Sequence, residues 1–131
     1  MSKEVVVPAG SETTYNRFHF APAVKASNGM IFMSGVIGSN PDGSMPEDIE
    51  TQTANAFESI SKTLEAAGSS LGEIVDITSF HIGLNSHVRG FMSVKDKYIK
   101  EPYPCWTAIG TTELAMPGGL VEIRVVAQKT D

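Results

Sequence analysis

The sequence predicts an α+β domain in which two helices cover one face of a six-stranded sheet. Three observations carry that reading. Ile49, Thr53, Ala56, Phe57, Ile60, Leu64 and Ala67 recur at helical spacing, which paints one stripe of a helix. Near the end of the chain the period changes to two, with Val121, Ile123, Val125 and Ala127 alternating against Leu120, Glu122, Arg124 and Val126, so this segment has two unlike faces and reads as a strand. Asn28-Gly29 stands between two apolar runs, and that dipeptide accepts positive φ at both centres of a tight hairpin turn.

In chain order, residues 4–7 are short and β-branched and form a first strand. Residues 23–27 and 30–36 flank Asn28-Gly29 as the arms of a hairpin. The first helix begins near Pro46 and three acids, Glu47, Asp48 and Glu50, and ends before Gly68, as the macrodipole and the glycine stop signal require. Residues 74–84 read as a long strand. A second helix begins near Asn85 or Ser86 and carries Val88, Phe91, Met92, Lys95, Tyr98 and Ile99, with Gly90 weakening it. Residues 105–111 form the fifth strand, and a loop containing Met116-Pro117-Gly118-Gly119 leads to the sixth. No linker, repeat or low-complexity tract interrupts this order, so residues 1–131 read as a single domain.

Composition restricts the partners. A chain of 131 residues can bury a real core. A net charge of −5 and ten scattered Lys and Arg argue against nucleic acid, whose binding needs clustered cations. A single cysteine excludes an internal disulfide. With no apolar run near membrane-spanning length and no signal-peptide pattern, a cytoplasmic protein without a membrane partner is expected.

Two helices cover only one face of such a sheet, yet Leu120 and Val126 lie on the other and call for burial. Another copy of the chain is the expected cover, with ligand clefts at the seams between subunits.

Several segments together carry a family resemblance. They are Pro104-Cys105-Trp106-Thr107-Ala108-Ile109-Gly110 and Leu120 to Ala127; Phe20-Ala21-Pro22-Ala23-Val24-Lys25 leading into Met30-Ile31-Phe32-Met33-Ser34-Gly35; and Asp48-Ile49-Glu50-Thr51-Gln52-Thr53, Leu64-Glu65-Ala66-Ala67-Gly68 and Ile74-Val75-Asp76. On these the chain resembles the Rid family, also known as YjgF or endoribonuclease L-PSP, along nearly its whole length. Pro102 to Ala108 match the Pro-Tyr-Pro-x-Trp-Thr-Ala segment of the arginine-lacking, YjgH-like branch. The resemblance implies a chorismate-mutase-like (YjgF-type) fold with a six-stranded mixed sheet. It also implies a homotrimer around a central barrel, with a small-molecule ligand in each of three inter-subunit clefts.

The resemblance also implies a site. Glu122 matches the acid that holds the attacking water, and Ser34 and Gly35 match positions that orient substrate or water. Phe20 stands where a tyrosine is usual, Lys95 where an asparagine is usual, Ala108 where a cysteine is usual, and Trp106 replaces the arginine that grips the substrate carboxylate. An indole cannot form that bidentate fork. Read without the family, Glu122 could pair with Arg124 on one strand face, Ser34-Gly35 could be a bend ending a strand, and Trp106 could be a packing anchor. Cys105 reads as a small buried hydrophobe. The three histidines show no metal-ligand spacing, and Tyr98 and Tyr103 read as packing residues.

The leading functional reading is an enamine or imine deaminase-like hydrolase with altered substrate preference, needing neither metal nor organic cofactor. The alternative is a non-catalytic small-molecule-binding or regulatory trimer. An endoribonuclease stands third, because the chain is acidic and offers no evident pair of catalytic histidines.

Overall fold

The hairpin closes at Asn28-Gly29, one residue looser than expected. In the computed structural model, which describes residues 2–131, only Gly29 takes a positive φ, +90°. The ring closes through Ala26 N–H to Met30 O at 2.8 Å, and Asn28 Oδ1 accepts from Met30 N–H at 3.0 Å instead of placing its own backbone in the left-handed region. The strands so joined, β2 (Ala23–Lys25) and β3 (Met30–Met33), pair antiparallel.

The other elements are β1 (Glu4–Val6), α1 (Glu12–Asn16), β4 (Val36–Ile37), α2 (Ile49–Ala66), β5 (Ile74–His81), α3 (Leu84–Tyr98), β6 (Cys105–Gly110) and β7 (Val121–Gln128). The sheet order is β1-β2-β3-β7-β5-β6, with β4 also on β7. A seventh strand arises because the expected strand over 30–36 is broken at Ser34-Gly35. Its halves both run along β7, Phe32 opposite Val126 and Val36 opposite Ile123. The sheet is mixed, as β5 and β6 are parallel and the other pairs antiparallel; α3 supplies the crossover a parallel pair needs.

Both long helices lie where their apolar stripes dictate. α2 starts at Asp48, whose carboxylate accepts the Thr51 N–H at 2.8 Å, and stops at Gly68, φ +82°. Its Phe57, Ile60 and Leu64 pack with Ile31, Ile77, Ile123 and Val125 of the sheet, none of them more than 1% exposed. Each such side chain contributes roughly 1.5–3 kcal/mol. α3 begins at Leu84, a residue earlier than expected, because Gly83 takes the left-handed conformation just before it. α1 was not anticipated: it buries none of its residues and so leaves no apolar period in the sequence.

Alternation along β7 defines the two faces. Val121, Ile123, Val125 and Ala127 are buried under the helices, while Glu122, Arg124 and Val126 lie on the open face. Leu120 departs from the expected pattern. It precedes the strand and packs against the core, because Gln52 of α2 accepts its N–H at 2.7 Å and draws it inward. The open face still carries Phe32 and Ile109, each 41% exposed. Among the described residues no helix is long and apolar enough to cross a membrane.

Candidate functional site

Glu122, Gly35, Ser34 and Phe20 come together on the open face, at the bend between β3 and β4. They line a cleft of about 670 Å³ with Phe18 and Met116. Gly35 is required there by space. A Cβ on it would stand 2.8 Å from Glu122 Cδ and 2.9 Å from Cγ, overlapping the carboxylate oxygen as well, so the acid lies flat against bare backbone. Ile37 is opposite Glu122 in the β4–β7 register and Phe80 in the β5–β7 register. No described residue donates a hydrogen bond to the Glu122 carboxylate, and the ion pair with Arg124 is not formed; the one ion pair among the described residues is Lys95–Asp96.

Ser34 is fixed by its bonds. Its hydroxyl donates to Ala21 O at 2.7 Å and its N–H to Pro22 O at 3.1 Å. The hydrogen is therefore committed, and the oxygen keeps only acceptor capacity for a molecule in the cleft. Phe20, 48% exposed, contributes an apolar wall with no hydroxyl.

Trp106, Lys95 and Ala108 form a second cluster on the other side of the sheet. The parallel register pairs Ile77 with Trp106 and Ser79 with Ala108, and Ile77 and Ser79 belong to the buried face. Trp106 thus points toward α3, half-buried, with the Lys95 ammonium 4.7 Å above its ring centroid and Phe91 5.8 Å away. The Lys95 side chain is only 12% exposed, and its carboxylate partner, Asp96, stands at 3.6 Å and is itself 66% exposed. An ammonium held over an indole beside one exposed carboxylate keeps donor capacity that an anion could use.

One protomer therefore does not unite the expected site residues. It holds them as two half-sites on opposite sheet faces, Phe20–Ser34–Gly35–Glu122 and Lys95–Trp106–Ala108. The same register corrects Cys105, which is exposed and not buried, because on edge strand β6 it alternates with Trp106 and falls on the open face.

Two of the histidines make a contact that their spacing does not show. His81 and His87 pair, Nδ1 to Nε2 at 3.2 Å, His81 buried and His87 half-buried. His81 is 0% exposed, and burial, with a smaller contribution from His87, pushes its pKa down to about 4. Burial lowers His87 too, opposed by the Glu50 carboxylate. His81 Nε2 meets Ser79 Oγ at 2.7 Å, which also accepts the Trp106 indole N–H at 2.9 Å. This chain of contacts has little signature in sequence, since Ser79 and His81 alternate along β5 as solvent-facing residues also would. Among the described residues no three His, Cys, Asp or Glu side chains converge as metal ligands.

Comparison with known proteins agrees with this architecture. The family model described as endoribonuclease L-PSP matches residues 12–129. The RutC family protein YjgH of Escherichia coli strain K12 is 36% identical over 129 residues, spanning 98% of this chain and 96% of that protein. Protein HMF1 of Saccharomyces cerevisiae is 32% identical over 120 residues, 85% of this chain and 91% of HMF1. Among solved structures, protein YjgH superposes with a TM-score of 0.87 at 35% identity, covering 100% of this chain and 99% of that one. RidA from the Antarctic bacterium Psychrobacter sp. superposes with a TM-score of 0.77 at 30% identity, covering 83% and 87%.

Proposed function

The chain belongs to the endoribonuclease L-PSP family, and on that premise we propose that it is a cofactor-independent hydrolase of small imines or enamines. In this reading it works at clefts between the subunits of a homotrimer and prefers substrates other than those of its arginine-bearing relatives. The observation that carries the reading is the Lys95 ammonium, largely covered, 4.7 Å over the Trp106 ring and paired among the described residues with Asp96 alone. It supplies a cation where the arginine fork is missing, as a point charge with looser aim.

Two half-sites on opposite faces support the trimer. A second copy laid against the exposed Phe32 and Ile109 would cover apolar surface and bring its own Lys95–Trp106 edge toward Glu122. The chemistry then follows from the groups present. A water gives a proton to the Glu122 carboxylate as its oxygen bonds to the imine carbon and the C=N electron pair moves to nitrogen; Glu122 returns that proton to the nitrogen, and the resulting carbinolamine, passing its hydroxyl proton to the nitrogen, expels ammonia and leaves a ketone. Ser34 holds the water by accepting a hydrogen bond, and the substrate carboxylate rests on Lys95 with its plane against the indole.

A non-catalytic binding or regulatory trimer is favoured by a different observation, the commitment of the Ser34 hydrogen to Ala21, which leaves that hydroxyl without a proton or hydrogen bond to give to a departing nitrogen. Three measurements test the proposal. Light scattering at micromolar concentration is expected to give a trimer. Titration with 2-oxobutanoate, the keto-acid product of imine hydrolysis, is expected to change the emission of Trp106, the chain's one tryptophan, in a saturable way. Hydrolysis of 2-iminobutanoate is expected to run on the order of a hundredfold below arginine-bearing relatives. A monomer, or emission indifferent to the keto acid, overturns the cleft reading; binding without hydrolysis leaves the regulatory one.

A further inference from the structure

His87, Phe91 and Lys95 are spaced four residues apart on α3, so they form one stripe of that helix, and it packs over Trp106 and β5. Beneath it, hydrogen-bonding capacity orders the polar contacts. An indole N–H only donates, so Trp106 donates to Ser79 Oγ at 2.9 Å. Ser79, 0% exposed, must place its own hydrogen, and the acceptor within reach is His81 Nε2 at 2.7 Å. Were that nitrogen protonated, the serine oxygen would receive two donors while its own hydrogen lay buried without an acceptor, which is costly. His81 therefore carries its proton on Nδ1 and donates it to His87 Nε2 at 3.2 Å. The edge-on contact of the His81 and Phe91 rings, centroids 4.8 Å apart at 88°, fixes the imidazole plane.

We propose that Ser79 and His81 are positioning residues for the ligand site: they hold the one donor of Trp106 inside the domain, so that in this half-site Lys95, lying over the indole ring, is the side chain left to donate to a ligand. This rests on the reading above that the Lys95–Trp106 half lines the cleft. A ligand there takes its hydrogen bonds from Lys95, and a molecule that needs a donor from the indole is excluded.

The single tryptophan gives one indole N–H signal in a nitrogen-15 correlation spectrum, and that signal tests the proposal directly. In the native protein it is expected to exchange slowly with water and to stay protected when 2-oxobutanoate binds. Ser79→Ala removes the acceptor at nearly constant volume. It should shift the signal, speed its exchange and weaken 2-oxobutanoate about tenfold. His81→Phe keeps a ring for Phe91 to meet and deletes both nitrogens. It should shift the signal less, since Ser79 still accepts, and it stands in if Ser79→Ala does not fold. An indole signal unchanged in both variants, or exchanging in the native protein as freely as in a peptide, overturns the anchoring. A shifted signal with unchanged affinity overturns the positioning role while leaving the cleft reading intact. No binding of 2-oxobutanoate by the native protein, beside a protected indole, removes the cleft reading and the ligand role together.

Discussion

Glu122 and Trp106 are held by opposite means. The carboxylate lies on the open face against Gly35 with no hydrogen bond from any described residue, so a molecule entering the cleft meets an acceptor still free to bind it. The indole is the first link of a buried chain in which Ser79, His81 and His87 each have a partner. Satisfied buried networks fix shape, whereas an unsatisfied polar group beside solvent is available to a reactant. One half-site thus keeps its reactivity in a single charge, and the other keeps its geometry in neutral groups. The free half still has a support of its own, because Gln52, 0% exposed, donates to Pro46 O at 2.7 Å and Gly118 O at 3.0 Å while accepting from Leu120. That ties α2 to the loop before β7, on which Met116 borders the cleft.

The sharpest way to break this contrast is to neutralise the free charge. Glu122→Gln is expected to lower 2-iminobutanoate hydrolysis by about 10²–10⁴-fold, measured by ammonia release, with the 2-oxobutanoate fluorescence titration little changed. Unchanged turnover removes the acid from the mechanism. Acid should strike the other half first. His81 is neutral in both folded and unfolded chains above pH 6.5. Below it the unfolded chain takes up a proton that the folded one refuses until about pH 4. Stability should therefore fall by about 1 kcal/mol per pH unit through that window, with His87 adding loss of the same sign. Urea melts of His81→Phe at pH 7 and pH 5 should show a clearly weaker dependence than the native protein.

Gln52→Leu should cost about 2 kcal/mol by leaving the Leu120 N–H and the carbonyls it served without their partner, read as a lower urea midpoint with the Trp106 emission maximum unmoved. A shift in that maximum would mean the two half-sites are coupled through α2. The smallest effect is expected at Lys95→Gln, which keeps the stem against the indole and deletes the charge. Affinity for 2-oxobutanoate should drop by about tenfold, and the loss should shrink as salt is raised.

Much of the fold was legible because burial writes a period into sequence. The stripe from Ile49 to Ala67 and the alternation of β7 both mark surfaces that meet one core. α1 left no such trace, because it buries nothing; the bend at Ser34-Gly35 was readable from the pair itself, but not the close approach of the Glu122 carboxylate to Gly35, which comes from β7, far along the chain. The grouping of Phe20, Ser34, Gly35 and Glu122 was reachable through resemblance alone. That Trp106 faces away from them depends on the β5–β6 register, and the Ser79–His81 link requires buried polar residues on an alternating strand, which composition does not distinguish from a wet edge. Cys105 was misjudged for the same reason: residue type favours burial, but the register of an edge strand decides it.

Opposite placement of the half-sites also has a genetic consequence. If complete sites form only where Glu122 of one copy meets Lys95 of the next, every contact joins two unlike patches, and a closed ring has as many sites as subunits. A protomer damaged at Glu122 and one damaged at Lys95, each deficient alone, would then complement each other when co-expressed. Every mixed ring contains one junction where both damaged halves meet and another where both halves are whole.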